Sequence, residues 1–468
     1  MVFSSLTFIY LFLPGVLLLY FCVPTKFRNA VLLASSLFFY FCGEQIYLLL
    51  MAGETLLTYV AGRLLEILPD KAKKVTLAVF LVLSFGLLGL FKYADLIPGT
   101  VNGLAGREIF TLLRLPLPIG ISFYVFQSVS YGIDVYRGKY PAEKNLLNLS
   151  LYVSFFPQLI AGPVVRFETV SENLKYRTHS IARLSEGLFR FTLGLGKKVL
   201  IADRLYAFCD TAAAAASPSL LLSWTEGLAF LLYVYFDFSG YSDMAIGLAR
   251  CFGFDLPENF DYPLISTGFR EFWRRWHISL GSWFRDYVYI PLGGSRKGLL
   301  IHLRNLLTVW VLTGLWHGAS LNFVLWGLSF GIMLIAEVLL EKTGLFKKKK
   351  IPAVLKHILV LTLTVLFFVW FRFTDLRDAL TQYGRMFGTV PLWTGSTAYL
   401  LKGFWVLLSM ACLGATPLPK ILYKKAENSA AGRVLAPFLR SAFIVFILIF
   451  VTAYLVDGSF SPFLYFRF

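Results

Sequence analysis

Two histidines stand out by their surroundings, one in an apolar run and one among arginines and aromatic rings. His317 lies in Thr313-Gly-Leu-Trp-His-Gly-Ala-Ser320, within the apolar run 306–340. Glycines flank it and let backbone or ligand approach closely. An ionisable residue inside a membrane-length run is a functional candidate by default, and a neutral imidazole there suits a general base. His277 lies in Phe269-Arg-Glu-Phe-Trp-Arg-Arg-Trp-His-Ile-Ser-Leu-Gly-Ser-Trp-Phe-Arg-Asp-Tyr287. Rings at 269, 272, 273, 276, 283, 284 and 287, with Leu280 filling the gap, repeat at helical spacing and predict one aromatic face. Arg270, Arg274, Arg275 and Arg285 fall largely off that face, the pattern of a basic amphipathic helix in the membrane interface. An anchor helix is the plain reading. Arginines this dense could also hold an anionic donor or phosphate.

A third polar group is Tyr235-Phe-Asp-Phe-Ser-Gly-Tyr-Ser-Asp-Met244, which puts Asp237, Ser239, Tyr241, Ser242 and Asp243 inside another membrane-length run. Carboxylates at that depth are costly and are expected to face a cavity or a basic partner. His179, His302 and His357 lie near basic loops or span ends and read as surface residues. Other chemistries lack their patterns. No HExxH or comparable metal-ligand spacing occurs, and no metal is expected. Gly194-Leu-Gly-Lys-Lys198 has Phe191 where a phosphate loop needs its first glycine. Gly240-Tyr-Ser-Asp-Met244 lacks the closing glycine of a nucleophile elbow. The five cysteines are scattered singly, with no CxxC pair to suggest zinc or a disulfide framework.

The elements that must position these residues follow from composition. Of 468 residues, 57% are hydrophobic and 15% charged, where about 25% charged is usual for soluble domains. Soluble and disordered classes are excluded, and an all-α polytopic membrane protein is predicted. Runs long enough to span occur near 6–23, 30–43, 45–62, 75–91, 115–136, 184–202, 222–250, 306–340, 353–373, 397–416 and 441–457. The run 306–340 is too long for one pass and is expected to break around Gly314–Gly318, giving eleven or twelve spans in all. Leu149–Pro163 contains Pro157, Gly162 and Pro163 and reads as re-entrant.

The net charge of +17 sorts into loops. Lys26 and Arg28, the 63–74 loop, the 137–183 loop, Lys347–Lys350 and the 420–440 loop all read as cytoplasmic. Both termini then lie outside, and the first run reads as a span, since its basic residues follow it. The basic residues flank apolar runs and form no single stripe, so nucleic acid is not the expected partner.

Several long motifs in one order resemble the membrane-bound O-acyltransferases, most closely the bacterial branch containing the alginate O-acetyltransferase membrane subunit. They are Tyr235–Met244, Phe272-Trp-Arg-Arg-Trp-His277, Arg285-Asp-Tyr-Val-Tyr-Ile-Pro-Leu-Gly-Gly294 and Leu315-Trp-His-Gly318. Met1-Val-Phe-Ser-Ser5, Phe156-Pro-Gln-Leu-Ile-Ala-Gly-Pro163, Phe368-Val-Trp-Phe-Arg372 and Pro462-Phe-Leu-Tyr-Phe-Arg-Phe468 extend the likeness nearly end to end. The resemblance implies one integral membrane domain over 1–468, with the motif core at about 115–340 and peripheral helices at 1–92 and 353–468. The fold it implies is a ring of tilted helices around a thin centre. His317 would be catalytic. His277 falls on the family's second polar position, which is Asn, Asp or His depending on branch.

The resemblance also implies a donor, acetyl-CoA or an acyl group derived from it, with no tightly bound cofactor. The acceptor would be a cell-surface polysaccharide, reached directly or through an exported, SGNH-type esterase-like partner. The candidate donor- and substrate-binding set is Arg270, Trp273, Arg274, Arg275, Trp276, Asp237, Ser239, Tyr241, Asp243, Trp316 and Asn322. The alternatives are a polysaccharide or lipid transporter, or a membrane scaffold for an exported enzyme, either one without chemistry of its own.

Overall fold

The computed structural model describes residues 1–160, 162–343, 351–458 and 463, and every regular element among them is helical. Lys347–Lys350 and most of the closing motif 462–468 lie outside the described residues, as does Ala161. The chain forms two compact units, Met1–Leu195 with Tyr241–Glu258, and Gly196–Gly240 with Asn259–Phe468.

The first unit carries α1 (Leu13–Cys22), α2 (Arg28–Phe41), α3 (Tyr47–Ile67), α4 (Asp70–Tyr93), α5 (Leu96–Ala105) and α6 (Ile121–Tyr136). The short helices α7 (Leu146–Ser154), α8 (Phe156–Leu159) and α9 (Phe167–Lys175) follow, then α10 (Ile181–Gly196). Small residues let α3, α4 and α6 close up. A Cβ at Gly132 would strike the Phe80 ring at 2.5 Å, and one at Gly62 would meet Tyr131 at 2.8 Å. Helix packing in lipid relies on such close approach, because burial of apolar surface drives nothing between spans. The segment expected to be re-entrant folds as α7 and α8, both too short to cross and both buried almost throughout.

A wide π-type turn, Lys197–Ala202, leads into α11 (Asp203–Ala213), and the long α12 runs from Leu220 to Cys251. The second unit continues with α13 (Phe269–Arg275), α14 (Ile278–Phe284), α15 (Leu299–His317) and α16 (Leu321–Thr343). It closes with α17 (Ala353–Arg372), α18 (Leu376–Met386), α19 (Gly395–Gly414), α20 (Leu418–Glu427) and α21 (Ala430–Val456).

Among the described residues, eight helices are long and apolar enough to cross a membrane: α3, α4 with its continuation to Gly103, α12, α15, α16, α17, α19 and α21. The runs at 6–23, 30–43, 115–136 and 184–202 fold into shorter helices. The run 306–340 breaks at Gly318 and becomes α15 and α16. These two cross closely, since a Cβ on Gly314 would sit 2.4 Å from the Phe323 carbonyl oxygen, and one on Gly327 would sit 2.3 Å from that of Trp310. Only hydrogen atoms fit at this crossing.

The single aromatic helix predicted over 269–287 does not form. The segment is α13, then His277 at φ 45°, then α14 and a π-type turn Arg285–Tyr289. One residue in the left-handed region ends the first helix and starts the second, and the ring spacing runs through the break undisturbed.

Candidate active site

His277 opens α14 and is 1% exposed. Its Nδ1 lies 3.2 Å from Oδ1 of Asn259. The same oxygen accepts from the Ser279 N–H at 3.2 Å and from the Ser279 hydroxyl at 2.9 Å. The Ser279 N–H fixes which end of the Asn259 amide faces this cluster. Nδ1 is therefore the protonated nitrogen, and Nε2 is left as a bare lone pair. That Nε2 is buried with no protein partner. Burial holds the imidazole far below its ordinary value, at about 3, so it stays neutral at any physiological pH.

His317 is the last residue of α15 and is 3% exposed. Its ring stands edge-on to Trp316 at 4.9 Å, Trp326 at 4.8 Å and Phe371 at 5.3 Å. Trp316 also faces the His277 ring at 5.9 Å, so one indole adjoins both histidines. Phe238 of α12 closes the other side of His277 at 4.6 Å. The aromatic cluster continues through Trp273, which lies 5.7 Å from Trp326 and 4.4 Å from Trp310. The indole N–H groups of Trp273 and Trp326 are buried and donate to nothing in the protein. Ser239 is likewise buried with its hydroxyl unpaired. A buried donor without an acceptor costs about 1–3 kcal/mol, a cost that a bound polar ligand offsets.

The other residues of the sequence-derived set divide. Trp276 is buried among Phe272, Phe260 and Phe368 and belongs to the aromatic packing. Asn322 donates to the carbonyls of Phe373 and Asp375 and ties the start of α16 to the end of α17. Arg270 forks onto Glu341, and Glu337, one turn earlier on α16, accepts the N–H groups of Phe269 and Arg270. Arg275 is engaged by Glu271 and Asp261, and Arg285 by Asp286. Arg274 is exposed, and no carboxylate among the described residues pairs with it.

Asp237 is 0% exposed and meets Lys198 Nζ at 2.7 Å, which also meets Asp203 at 2.7 Å. Both carboxylates thus close on one lysine, and α12 is fixed to the π-type turn and α11. Sequence reading passed over Lys198 as a failed phosphate loop, although the Lys197-Lys198 pair in an apolar run was the signal for the partner Asp237 needed. A second buried pair, Glu226 of α12 with Arg372 of α17 at 2.5 Å, also went unread. Tyr241 and Asp243 belong to the first unit. Tyr241 stacks on Phe3 at 4.7 Å, and Asp243 shares Arg190 with Glu258.

The chain is similar to known proteins over much or all of its length. The profile of the MBOAT family, membrane-bound O-acyltransferases, matches residues 137–371. A Pseudomonas putida protein named "Probable alginate O-acetylase" is 39% identical over the whole of both chains. The peptidoglycan O-acetyltransferase of Helicobacter pylori is 34% identical over 83% of this chain and 80% of its own. The teichoic acid D-alanyltransferase of Bacillus subtilis is 27% identical over 48% of this chain and 60% of its own.

Proposed function

The chain belongs to the membrane-bound O-acyltransferase family, and from that premise we propose that it acetylates an exported polysaccharide, with His317 as the general base. It is a multi-pass membrane acyltransferase. The relatives named above act on alginate, peptidoglycan and teichoic acid by their names, which supports a cell-surface polymer as the acceptor here. The observation that carries the reading is the pair of buried imidazoles sharing Trp316, one of them with an unspent lone pair.

The roles follow from the geometry. A hydroxyl of the acceptor or of a carrier gives its proton to His317 as its oxygen attacks the carbonyl carbon of an acetyl thioester. The C–S bond breaks, and the thiolate leaves with the proton that His317 held. The end of α15 carries partial negative charge, which offsets part of the cost of the transient imidazolium. The one proton of that hydroxyl is committed to His317, so His277 accepts through Nε2 from a second hydroxyl of the acceptor and orients it. Being neutral, with its only N–H turned to Asn259, His277 positions the nucleophile and leaves the oxyanion to other donors. The unspent indole N–H groups of Trp326 and Trp273 supply them.

The thioester is acetyl-CoA or an acyl group derived from it, entering from the cytoplasm. Arg274 is the arginine of α13 open to a phosphate, since Arg270 and Arg275 are held by carboxylates. The protein sits in the inner membrane with its basic loops in the cytoplasm and both termini outside. An exported SGNH-type partner completes transfer to the polymer. The test is acetyl transfer from labelled acetyl-CoA in membranes carrying His317→Ala or His317→Gln. Transfer at the wild-type rate and equal protein level would overturn the assignment.

A further inference from the structure

The hairpin between α1 and α2 holds a cluster of positive charge that the chemistry of acyl transfer does not use. Tyr20 is fully buried, donates to the Phe252 carbonyl at 3.0 Å, and sits 3.2 Å from His179 Nε2. Two guanidiniums lie against its ring, Arg28 at 5.2 Å from the centroid and Arg177 at 5.8 Å. Arg177 is not a loose surface side chain. It lies over Phe254 at 4.6 Å and donates to Oδ1 of Asn29 at 2.6 Å. Asn29 is in turn fixed by Asn148 and the Leu174 carbonyl. Arg28 packs over Phe21 as well. Glycine at 253 is required here, because a Cβ would lie 2.9 Å from His179 and 3.2 Å from Arg177.

Like charges have been brought together with no counter-charge between them. Arg183 at the edge is paired with Asp255, but no carboxylate among the described residues pairs with Arg28 or Arg177. Arg28 moreover opens α2, where the unbonded N–H groups of a helix already disfavour a cation. Burial first, then the charges of Arg28, Arg177 and Arg183, lower the proton affinity of His179. Guanidinium nitrogens of Arg28 and Arg177 are shielded from solvent and have no acceptor. Rigid, convergent and uncompensated donors of this kind are completed by an anion with several oxygens.

We propose that Arg28 and Arg177, gathered around Tyr20, form a binding site for an anionic phosphate group. Two sources carry that chemistry, the headgroup of an acidic phospholipid and the phosphomonoester of a soluble nucleotide.

The experiment uses the purified full chain with three probes. Phosphatidylglycerol and phosphatidylcholine are compared in native mass spectrometry, and adenosine 3′,5′-bisphosphate is titrated by calorimetry. Preferential retention of phosphatidylglycerol identifies a lipid site, and binding of the bisphosphate identifies a nucleotide site. Each of Arg28→Gln and Arg177→Gln weakens the ligand that binds by about tenfold or more, the loss of one charge-assisted fork. Arg63→Gln, whose arginine is already paired with Glu66, leaves binding unchanged. If the glutamine variants do not fold, Arg28→Lys and Arg177→Lys keep the charge, lose the fork and give an intermediate affinity. The proposal is overturned if neither probe binds better than phosphatidylcholine, if both glutamine variants bind as wild type, or if Arg63→Gln loses as much.

Discussion

Asn259 sets the state of His277. Its side-chain oxygen collects three donors, from His277 Nδ1 and from the backbone and hydroxyl of Ser279. The loop before α13 therefore decides which nitrogen of a histidine eighteen residues later is available. Asn259→Ala frees the imidazole to rotate or change tautomer, and transfer is expected to fall by about 10–100-fold, the usual cost of losing an orienting partner. Assaying acetyl transfer per folded protein tests this, and wild-type turnover would show that Asn259 only supports Ser279.

His317→Ala and His317→Gln are expected to lower transfer by about 10²–10⁴-fold, the range for loss of a general base. Thermal melting in detergent separates this from misfolding.

His277 also gives a signed pH dependence. In the folded protein it is neutral down to about pH 3, while in the unfolded chain it takes up a proton near its ordinary value of about 6.5. Between these values the unfolded state binds the extra proton, so stability falls as pH drops from about 6.5 towards 3. His277→Asn removes this contribution. Melting temperatures measured across that window are expected to decline less steeply in the variant than in wild type.

Lys198→Met leaves Asp203 and Asp237 buried without their cation, and stability is expected to drop by about 3–5 kcal/mol. Adding Asp203→Asn and Asp237→Asn to the same chain removes the stranded charges and recovers much of the loss. Chemical denaturation of the single and triple variants measures both effects. A single variant as stable as wild type would mean the lysine is not the counter-charge.

The crossing of α15 and α16 tolerates no side chain at Gly314. Gly314→Ala directs a methyl at the Phe323 carbonyl, backbone that cannot rotate away. The helices must part, and Trp316 and His317 shift with α15. Transfer and melting temperature are both expected to fall, whereas Gly403→Ala, with open space around it, changes neither.

Much of this was readable beforehand, for physical reasons that differ by residue. Glycines at 314 and 318 marked a break and a close approach, so the placement of His317 at the end of a helix followed. The break at His277 left no trace, because the rings before and after it keep helical spacing while the backbone turns. Partners far apart in sequence were also hidden. Lys198 and Asp237 come from different helices, and Glu337 and Glu341 lie on α16, three helices beyond the α13 they hold. Charge patterning showed that buried carboxylates needed cations, but only folding shows which cation each receives.

The left-handed turn at His277 has a bearing on what evolution can write there. At a φ of 45°, most side chains crowd their own backbone, and among residues other than glycine Asn, Asp and His are the ones enriched. Those are the three that the family resemblance assigns to this position in its different branches. The permitted alphabet is narrowed by the bend before any chemistry selects from it. In this chain, Asn or Asp at position 277 would keep the bend that His277 makes, with the scaffold around it unchanged.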